Sequence, residues 1–313
     1  MRACVVLLAV ASLGHGAATD FRKSGDNHFF NLEYEEAVRD YRQLVQQNPD
    51  DPLAYNSLAS AQLYQELYRL GLLESSALRG DNQFLKQERP KPDPQAKARF
   101  EQTLEHGRTV AEAQLARDRR NHMALYALGN NYALRGNYEF MVDKSYFSAL
   151  RNGGKARDYC EQLRKLNPQF VDTYLVLGVH EYVLGSLPLP VKVLVGLVGM
   201  RGSKQKGQEH VLRVAHEGKW ARNEARILLV ILYRREKRPL DAARLLEELI
   251  QDFPRNYVLG LELASMYSDA GQHDRALATF QDLLKKAEAN APGYQRLPRE
   301  AVKRKIERLQ SGS

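Results

Sequence analysis

The sequence contains few cysteines and few long apolar runs. Only Cys4 and Cys160 occur among 313 residues, which excludes a disulfide scaffold and a zinc module with several cysteine ligands. The mean hydropathy of -0.51 excludes a polytopic membrane protein, because such a protein needs several apolar runs of about 20 residues. Glycine and proline, 21 and 12 residues, are too few for a collagen-like chain.

The overall composition is typical of a folded protein. Hydrophobic residues make up 43% and charged residues 27%, which is enough apolar material for a core and excludes wholesale disorder. Lys and Arg outnumber Asp and Glu by 46 to 38, giving a net charge of +8. The length fits two domains or one elongated array.

Residues 1–18 have the order of a secretory signal. Arg2 precedes an apolar stretch over residues 3–13, and the small residues Gly16, Ala17 and Ala18 follow it. The stretch is too short to cross a hydrocarbon core of ~30 Å comfortably. We expect a cleaved signal peptide over residues 1–18 and a mature protein in the periplasm or cell envelope. Within this interpretation, one alternative places the mature protein at the surface of a membrane. An uncleaved anchor and an apolar first helix of the fold are the alternatives.

Cleavage would leave Cys160 as the one cysteine of the mature chain. A lone thiol has no intramolecular disulfide partner, even in an oxidising compartment. Since Cys160 lies in a helical pattern, we expect it to be a small buried hydrophobe rather than a reactive thiol.

A sequence repeat is clearest over residues 257–290. Apolar residues up to Tyr267 form one face of a first helix, Gly271 breaks it, and Ala276 and Phe280 line a second helix. Alanine suits the closest approach of two helices, and the larger side chain fills the groove beside it. This order of small residue, tyrosine, glycine turn, alanine and phenylalanine resembles the tetratricopeptide repeat (TPR).

Two further units follow the same pattern. Residues 223–256 repeat it in phase, because Tyr233 precedes Tyr267 by the same interval as Ala242 precedes Ala276, and Pro254 closes the unit. Residues 18–51 form a third unit that lacks the turn glycine and has His28 in place of the tyrosine. The repeat residues of this third unit are Gly25, Ala37, Tyr41 and Pro49.

Longer units are predicted between these repeats. A helix over residues 54–78 would pair with one over 95–119, and a helix at 172–185, centred on Gly178, would pair with one over 204–217. Each of these pairs has an insertion between its two helices.

The remaining unit begins with a helix over 121–138 that contains Gly129 and Tyr132. Its second helix is expected to be delayed until Ala156. We therefore predict an all-α fold, an α-α superhelix (TPR solenoid) of about six helical hairpins plus a C-terminal capping helix, forming a single unit over residues 19–313.

Residues 183–200 break the pattern, with Lys192 as their one charged residue. Ten residues of helix after Pro190 reach about 15 Å, half of a hydrocarbon core, so a spanning helix is not expected. One interpretation buries this segment on the concave side. The other docks it, as an apolar helix over 191–200 with flanking cations, on a membrane or an apolar partner. The docking residues would be Val191, Leu194, Leu197, Arg201, Lys204 and Lys206.

The middle of the chain also resembles a eukaryotic family. The stretch SLPLPVKVLVGLVGMRGSKQKGQEHVLRVAHEG, followed by ARILLVILYRRE, is similar to TPR proteins that include the mitochondrial outer-membrane inclusion-body clearance protein. The resemblance covers residues 178–236 and implies a helical-repeat adaptor without catalysis. The predicted export signal departs from a cytosol-facing mitochondrial protein, so the cellular role does not carry over, and a bacterial envelope relative fits better.

Motifs for catalysis or metal binding are incomplete. His180-Glu181 opens like a zincin motif, but its second histidine position holds Leu184. Residues 153–155, Gly-Gly-Lys, lack the upstream glycine of a phosphate loop and are expected to form a turn. No serine lies in a GxSxG elbow. We expect no enzyme, no catalytic residue, no cofactor and no metal.

Three basic clusters lie at 117–120, 234–238 and 299–308. Solvated structural charge, an anionic lipid or acidic partner, and nucleic acid are the open interpretations, and export argues against nucleic acid. The sequence thus predicts a non-enzymatic scaffold or adaptor that binds a protein or peptide partner in the cell envelope. The alternative is a protein that docks on a membrane surface through residues 191–200.

Overall fold

The computed structural model describes residues 20–73, 91–189, 192–193 and 201–311. These residues form thirteen helices and no strand. The predicted α-α superhelix is confirmed: six helix pairs follow one another along the described chain, and one helix ends it. The predicted signal peptide over 1–18 and the predicted docking residues Val191, Leu194 and Leu197 lie outside the described residues.

The first helices of the six hairpins are the odd-numbered ones. They are α1 (Phe21–Phe30), α3 (Pro52–Arg69), α5 (His122–Met141), α7 (Thr173–Ser186), α9 (Arg222–Arg235) and α11 (Tyr257–Asp269). The second helices are α2 (Tyr34–Gln47), α4 (Pro94–Arg117), α6 (Tyr146–Leu166), α8 (Lys204–Glu217), α10 (Pro239–Asp252) and α12 (His273–Glu288). The terminal helix is α13 (Arg299–Gln310).

Side-chain caps fix where several of these helices begin. Asp51 accepts a hydrogen bond from the Leu53 amide at 2.9 Å, and Asn121 accepts one from Ala124 at 3.0 Å. Proline occupies the first turn of α3, α4 and α10, where its missing N–H would have no helical partner in any case. The local sequence therefore sets these helix starts.

Left-handed residues make four of the hairpin turns within the described ranges. Gly271 has φ +72°, and Lys237, one repeat earlier, has φ 56° in the equivalent turn. In the first hairpin, which lacks the glycine, Leu32 takes φ 64°, a conformation that costs an L-residue about 1–2 kcal/mol. The Leu32 side chain packs against two hydrophobic clusters, and this contact offsets the backbone strain.

Two sequence predictions about helix length are wrong. The helix predicted over 54–78 already ends at Arg69, because Gly71 turns the chain with φ +69°. Helix α6 begins at Tyr146, well before Ala156, and runs through the predicted Gly-Gly-Lys turn at 153–155.

Packing against α5 explains the extended α6. Its Asn152 is 5% exposed and donates a hydrogen bond to Glu139 at 2.8 Å, and Ser148 donates another to the same carboxylate at 2.8 Å. These contacts outweigh the helix cost of two glycines, about 1 kcal/mol each relative to alanine.

The two ends of the solenoid meet. The Asn256 side-chain amide donates to the Phe30 carbonyl at 2.7 Å, and the Phe30 and Phe253 rings stack with centroids 4.9 Å apart. One hydrophobic cluster contains buried residues of α1–α3 together with buried residues of α9–α12. The superhelix is therefore closed through side-chain contacts between its first and last hairpins, and its first helices surround an inner space.

Candidate protein-binding surface

Glu224, in the first turn of α9, is the central titratable group of the inner space. Its charge acts on Tyr41 of α2, Tyr64 of α3 and Tyr126 of α5, and the charges of Asp26 and Asp172 act on it. A group that interacts with residues from α1 to the loop before α7 lies where the inner faces of the helices converge.

The Glu224 carboxyl combines an exposed side chain with a raised pKa. Burial raises its pKa to about 8, and the negative charges of Asp26 and Asp172 add to the rise. Exposed surface and desolvation occur together when a side chain opens into a narrow space walled by protein, where water enters without providing bulk solvation. No lysine or arginine within the described ranges forms an ion pair with Glu224.

Aromatic side chains surround this carboxyl. Burial, followed by the charge of Glu224, raises the pKa of Tyr64 to about 12. The ring of Tyr126 is 3% exposed and lies 6.1 Å from the Trp220 ring, between centroids. Aromatic faces beside a carboxylate attract a cation through both the charge and the ring quadrupole. The inner space therefore suits a cationic side chain better than an anionic one.

Buried Asp172 positions the start of α9. One of its carboxylate oxygens accepts hydrogen bonds from the amides of Lys219, Trp220 and Ala221 at 2.8–2.9 Å. Asp172 is 3% exposed, so these bonds replace its hydration. The same contacts hold Trp220 and Glu224 in place on the inner side.

Asp26 and Tyr41 form a second polar contact in the inner space. The Tyr41 hydroxyl donates to the Asp26 carboxylate at 2.6 Å, and Arg22 pairs with Asp51 at 2.8 Å beside them. Burial raises the pKa of Asp26, although the Tyr41 hydrogen bond opposes the rise.

Except for Pro49, the repeat residues of the first four hairpins lie in the packed contacts between helices. A Cβ added to Gly25 would lie 2.6 Å from the Tyr41 ring, and one added to Gly129 would lie 2.6 Å from the Cys160 sulfur. One added to Gly178 would lie 2.8 Å from the Gly207 carbonyl oxygen. The remaining residues of this set are Ala37, fully buried, Tyr132, stacked on Tyr159 at 5.8 Å, and Pro49, exposed in the loop after α2.

The repeat residues of the last two hairpins form a second packed set. Ala242 and Ala276 are fully buried and Phe280 is 2% exposed. The Tyr267 hydroxyl donates to Glu247, and the Arg275 guanidinium lies 4.0 Å from the centre of its ring. The others are Tyr233, covered by Arg238 at 4.6 Å, Gly271 in its turn, and Pro254, whose carbonyl accepts from Tyr294 at 3.1 Å.

The predicted cationic docking residues differ in their surroundings. Lys204 pairs with Glu236 and Lys206 with Glu181, each at 3.1 Å. Arg201 is exposed and has no ion pair among the described residues. Of these three cations, Arg201 is therefore the one whose charge is not already compensated.

The buried role predicted for Cys160 is confirmed. Its side chain is fully buried, and burial raises the pKa of its thiol to about 12. Within the described ranges, no cluster of three metal-ligating side chains occurs. A search of the same ranges found no helix with the length and apolar character to span a bilayer.

Sequence reasoning missed Glu224 and Asp172. A glutamate in the first turn of a helix is a common response to the helix dipole, so Glu224 carries no signal of an inner position. Asp172 immediately precedes α7 in the sequence, yet it caps the backbone before α9, a contact across 47 to 49 residues that periodicity does not encode.

Comparison with known proteins identifies the repeats. Family models described as tetratricopeptide repeat match residues 22–73 and 233–299, so the chain contains tetratricopeptide repeats in both the first and the last hairpins. Repeats of this class form protein–protein interaction scaffolds. A search of curated proteins finds no match.

A solved structure to which this chain is similar is that of a thermophilic TPR protein of Thermus thermophilus. It is 16% identical, with a TM-score of 0.41, and the match covers 78% of this chain and 95% of that one. Another is yeast Tom70, 14% identical with a TM-score of 0.34, where the match covers 96% of this chain and 66% of that one. The chain thus spans slightly less than two thirds of the Tom70 structure.

Proposed function

We propose that this protein is a non-enzymatic scaffold that binds a segment of a partner protein in its inner space. The observation that carries the proposal is the exposed Glu224 carboxyl, which faces the inner space without a cation partner among the described residues. The tetratricopeptide repeats at both ends support a binding role. The partner segment carries a lysine or an arginine that reaches Glu224 between the tyrosine rings.

Proton linkage follows from this arrangement. At neutral pH the free Glu224 is largely protonated, because its pKa is about 8. A lysine or arginine in contact favours the ionised carboxylate and lowers that pKa, so binding releases a proton. The affinity for a cationic segment therefore rises as the pH rises from about 6 to about 9.

A random peptide library displayed on phage tests the proposal without a known partner. Peptides selected on the wild-type protein should be enriched in lysine and arginine, and Glu224→Gln should weaken their binding about tenfold or more. The matched control is Glu35→Gln, which removes an exposed carboxylate from α2. Selection of acidic or neutral peptides, or equal binding to both variants, would refute the inner-space site.

We further propose that the scaffold works in the cell envelope, on the strength of the predicted signal over residues 1–18. The resemblance of residues 178–236 to the inclusion-body clearance family supports the role of an adaptor. Fusion of residues 1–30 to alkaline phosphatase, which is active only after export from a bacterial cytoplasm, tests the location. An inactive fusion would contradict it.

A second candidate function is docking on a membrane surface through residues 191–200. The observation that favours it is the exposure of Leu189 and Val193, 77% and 62%, at this stretch. Flotation with vesicles of equal parts phosphatidylcholine and phosphatidylglycerol tests this candidate. Wild type should float, the double variant Leu194→Ser, Leu197→Ser should float less, and failure of wild type to float would exclude membrane docking.

A further inference from the structure

Exposed large apolar side chains are concentrated in one part of the chain. Eight of the ten that occur among the described residues lie between positions 140 and 193. Phe147 is 92% exposed, an unusual position for a phenylalanine, whose burial contributes strongly to folding. The other members are Phe140, Tyr146, Leu150, Val179, Val183, Leu189 and Val193.

The packing of α5 on α6 brings together the four of these residues that lie on the two helices: Phe140, Tyr146, Phe147 and Leu150. A Cβ on Gly129 would touch Cys160, and one on Gly136 would lie 3.6 Å from the Gly153 amide. This antiparallel register places Phe140 level with the first turn of α6. The Phe140 and Tyr146 rings meet edge to face, with centroids 5.5 Å apart.

The packing of α6 on α7 adds the residues that follow α7. The charges of Arg157, Asp158 and Glu161 on α6 act on His180 of α7, so these antiparallel helices lie side by side with His180 near residues 157–161. In this register the C-terminal end of α7, from which the chain continues to Leu189 and Val193, lies on the same side of the helix layer as the first turns of α6. Six side chains from three segments therefore lie at the turns along one edge of the solenoid, here called the apolar edge: Phe140, Tyr146, Phe147, Leu150, Leu189 and Val193.

Charges near the apolar edge are predominantly uncompensated cations. Lys144, Arg151, Lys192 and Arg201 form no ion pair within the described ranges. Three acidic groups nearby are neutralised: Asp143 by Lys97 at 2.8 Å, Asp158 by Arg157 at 2.7 Å and Glu181 by Lys206 at 3.1 Å. A fourth, Glu139, forms no ion pair among the described residues and accepts hydrogen bonds from Ser148 and Asn152 at 2.8 Å.

We propose that the apolar edge docks on an anionic membrane surface. Its aromatic and aliphatic side chains enter the interface between headgroups and acyl chains, and the four uncompensated cations meet lipid phosphates. This inference rests on the second candidate function. It extends the docking surface from residues 191–200, the stretch predicted from sequence, to the turn between α5 and α6. The mixture of apolar rings with unpaired positive charge favours a lipid surface over a second copy of the chain, because identical cationic edges repel each other.

Vesicle flotation with polar substitutions tests the apolar edge. The edge variant is Phe147→Ser, Leu150→Ser. The matched control is Leu212→Ser, Leu240→Ser, which removes the two exposed leucines that the described part of the chain has outside the edge. On vesicles of equal parts phosphatidylcholine and phosphatidylglycerol, the edge variant should partition about tenfold less than wild type, and the control should behave as wild type. Circular dichroism checks that both variants are folded.

The charge contribution needs a second pair of variants. Lys144→Gln, Arg151→Gln should reduce flotation on these anionic vesicles, and Arg42→Gln, Lys165→Gln, two exposed cations elsewhere, should not. Replacement of phosphatidylglycerol by phosphatidylcholine should abolish the difference between the charge variants.

The outcomes separate the inference from the function on which it rests. If wild type does not float, membrane docking as a whole fails. If wild type floats and only Leu194→Ser, Leu197→Ser reduces it, the second candidate function stands and the apolar edge is overturned. If sedimentation shows that the edge variant dissociates a dimer while neither protein binds vesicles, the edge is a protein interface and the inference is also overturned.

Discussion

Arg255 pairs with Glu33 from the opposite end of the solenoid. Its Nε lies 2.7 Å from Oε1 and its Nη2 lies 2.8 Å from Oε2 of the glutamate. The pair joins the loop after α1 to the loop before α11, and it raises the pKa of Arg255 through the hydrogen bonds to Glu33. This two-pronged contact, with the Asn256 bond beside it, holds the first and last hairpins together.

Removing the Glu33 carboxylate should weaken the closure. We expect Glu33→Gln to lower the free energy of unfolding by about 1 kcal/mol, since a bidentate pair of this kind exceeds an ordinary surface pair. Urea denaturation measures the effect. Glu36→Gln, which breaks the more exposed pair with Arg39, is the control and should change stability by less than about 0.5 kcal/mol. Equal effects would mean that the contact does not contribute to closure.

Asp172 should be among the most sensitive polar positions. Asp172→Ala leaves the amides of residues 219–221 without their shared acceptor, and we expect a loss of about 2–3 kcal/mol in the free energy of unfolding. Asp50→Ala, at an exposed position, should have little effect. A folded Asp172→Ala variant should also show a lower pKa for Glu224, because the Asp172 charge helps to raise it. A wild-type unfolding midpoint would contradict this account.

Glu224 should make stability depend on pH in a defined direction. Its pKa is about 8 in the folded protein and about 4.3 in an unfolded chain, so the folded state binds more protons between these values. Stability therefore falls as the pH rises through this window. Glu224→Gln should remove that part of the dependence and stabilise the protein more at about pH 9 than at about pH 5. Denaturation midpoints at both pH values measure the gain, and a gain that is larger at the acidic pH would show that the carboxyl is not desolvated.

Replacing two helical glycines by alanine should change the stability of the protein in opposite directions. Gly154 lies inside α6 with no atom near its added Cβ, so Gly154→Ala should stabilise the protein by about 0.5–1 kcal/mol. Gly129→Ala should destabilise it, because the new Cβ would meet the Cys160 sulfur at 2.6 Å. Thermal unfolding of the two variants should show a higher unfolding temperature for Gly154→Ala and a lower one for Gly129→Ala. A loss of stability in Gly154→Ala would support the turn that the sequence predicted at 153–155.

Apolar spacing and capping residues predicted the helix bounds correctly where these local features determine them. Helix α8 occupies residues 204–217 as predicted, because its apolar positions recur with helical spacing and Ser203 caps its start. The start of α6 was missed because the tertiary contact of Asn152 with Glu139 overrides two glycines. The turn at Leu32 carries no glycine for the same kind of reason: the packing of its side chain decides its backbone conformation.

The candidate sites depend on contacts that no local pattern contains. Closure joins Glu33 to Arg255, and Glu224 gains its surroundings from α1, α2, α3 and α5. The apolar edge depends on helix register, which places Phe147 on the same edge of the solenoid as the C-terminal end of α7. Sequence periodicity predicts the helical hairpins, but it does not indicate which charged residue lies where the first helices converge.

Hydrogen exchange with a bound peptide tests the scaffold account most directly. A lysine-containing peptide selected on the wild-type protein should slow amide exchange in α3, α5 and the first turn of α9, the elements around Glu224, and leave the outer α6 and α10 unchanged. The same peptide should produce no protection in Glu224→Gln. Protection confined to the outer helices, or protection that survives this substitution, would contradict a partner site in the inner space.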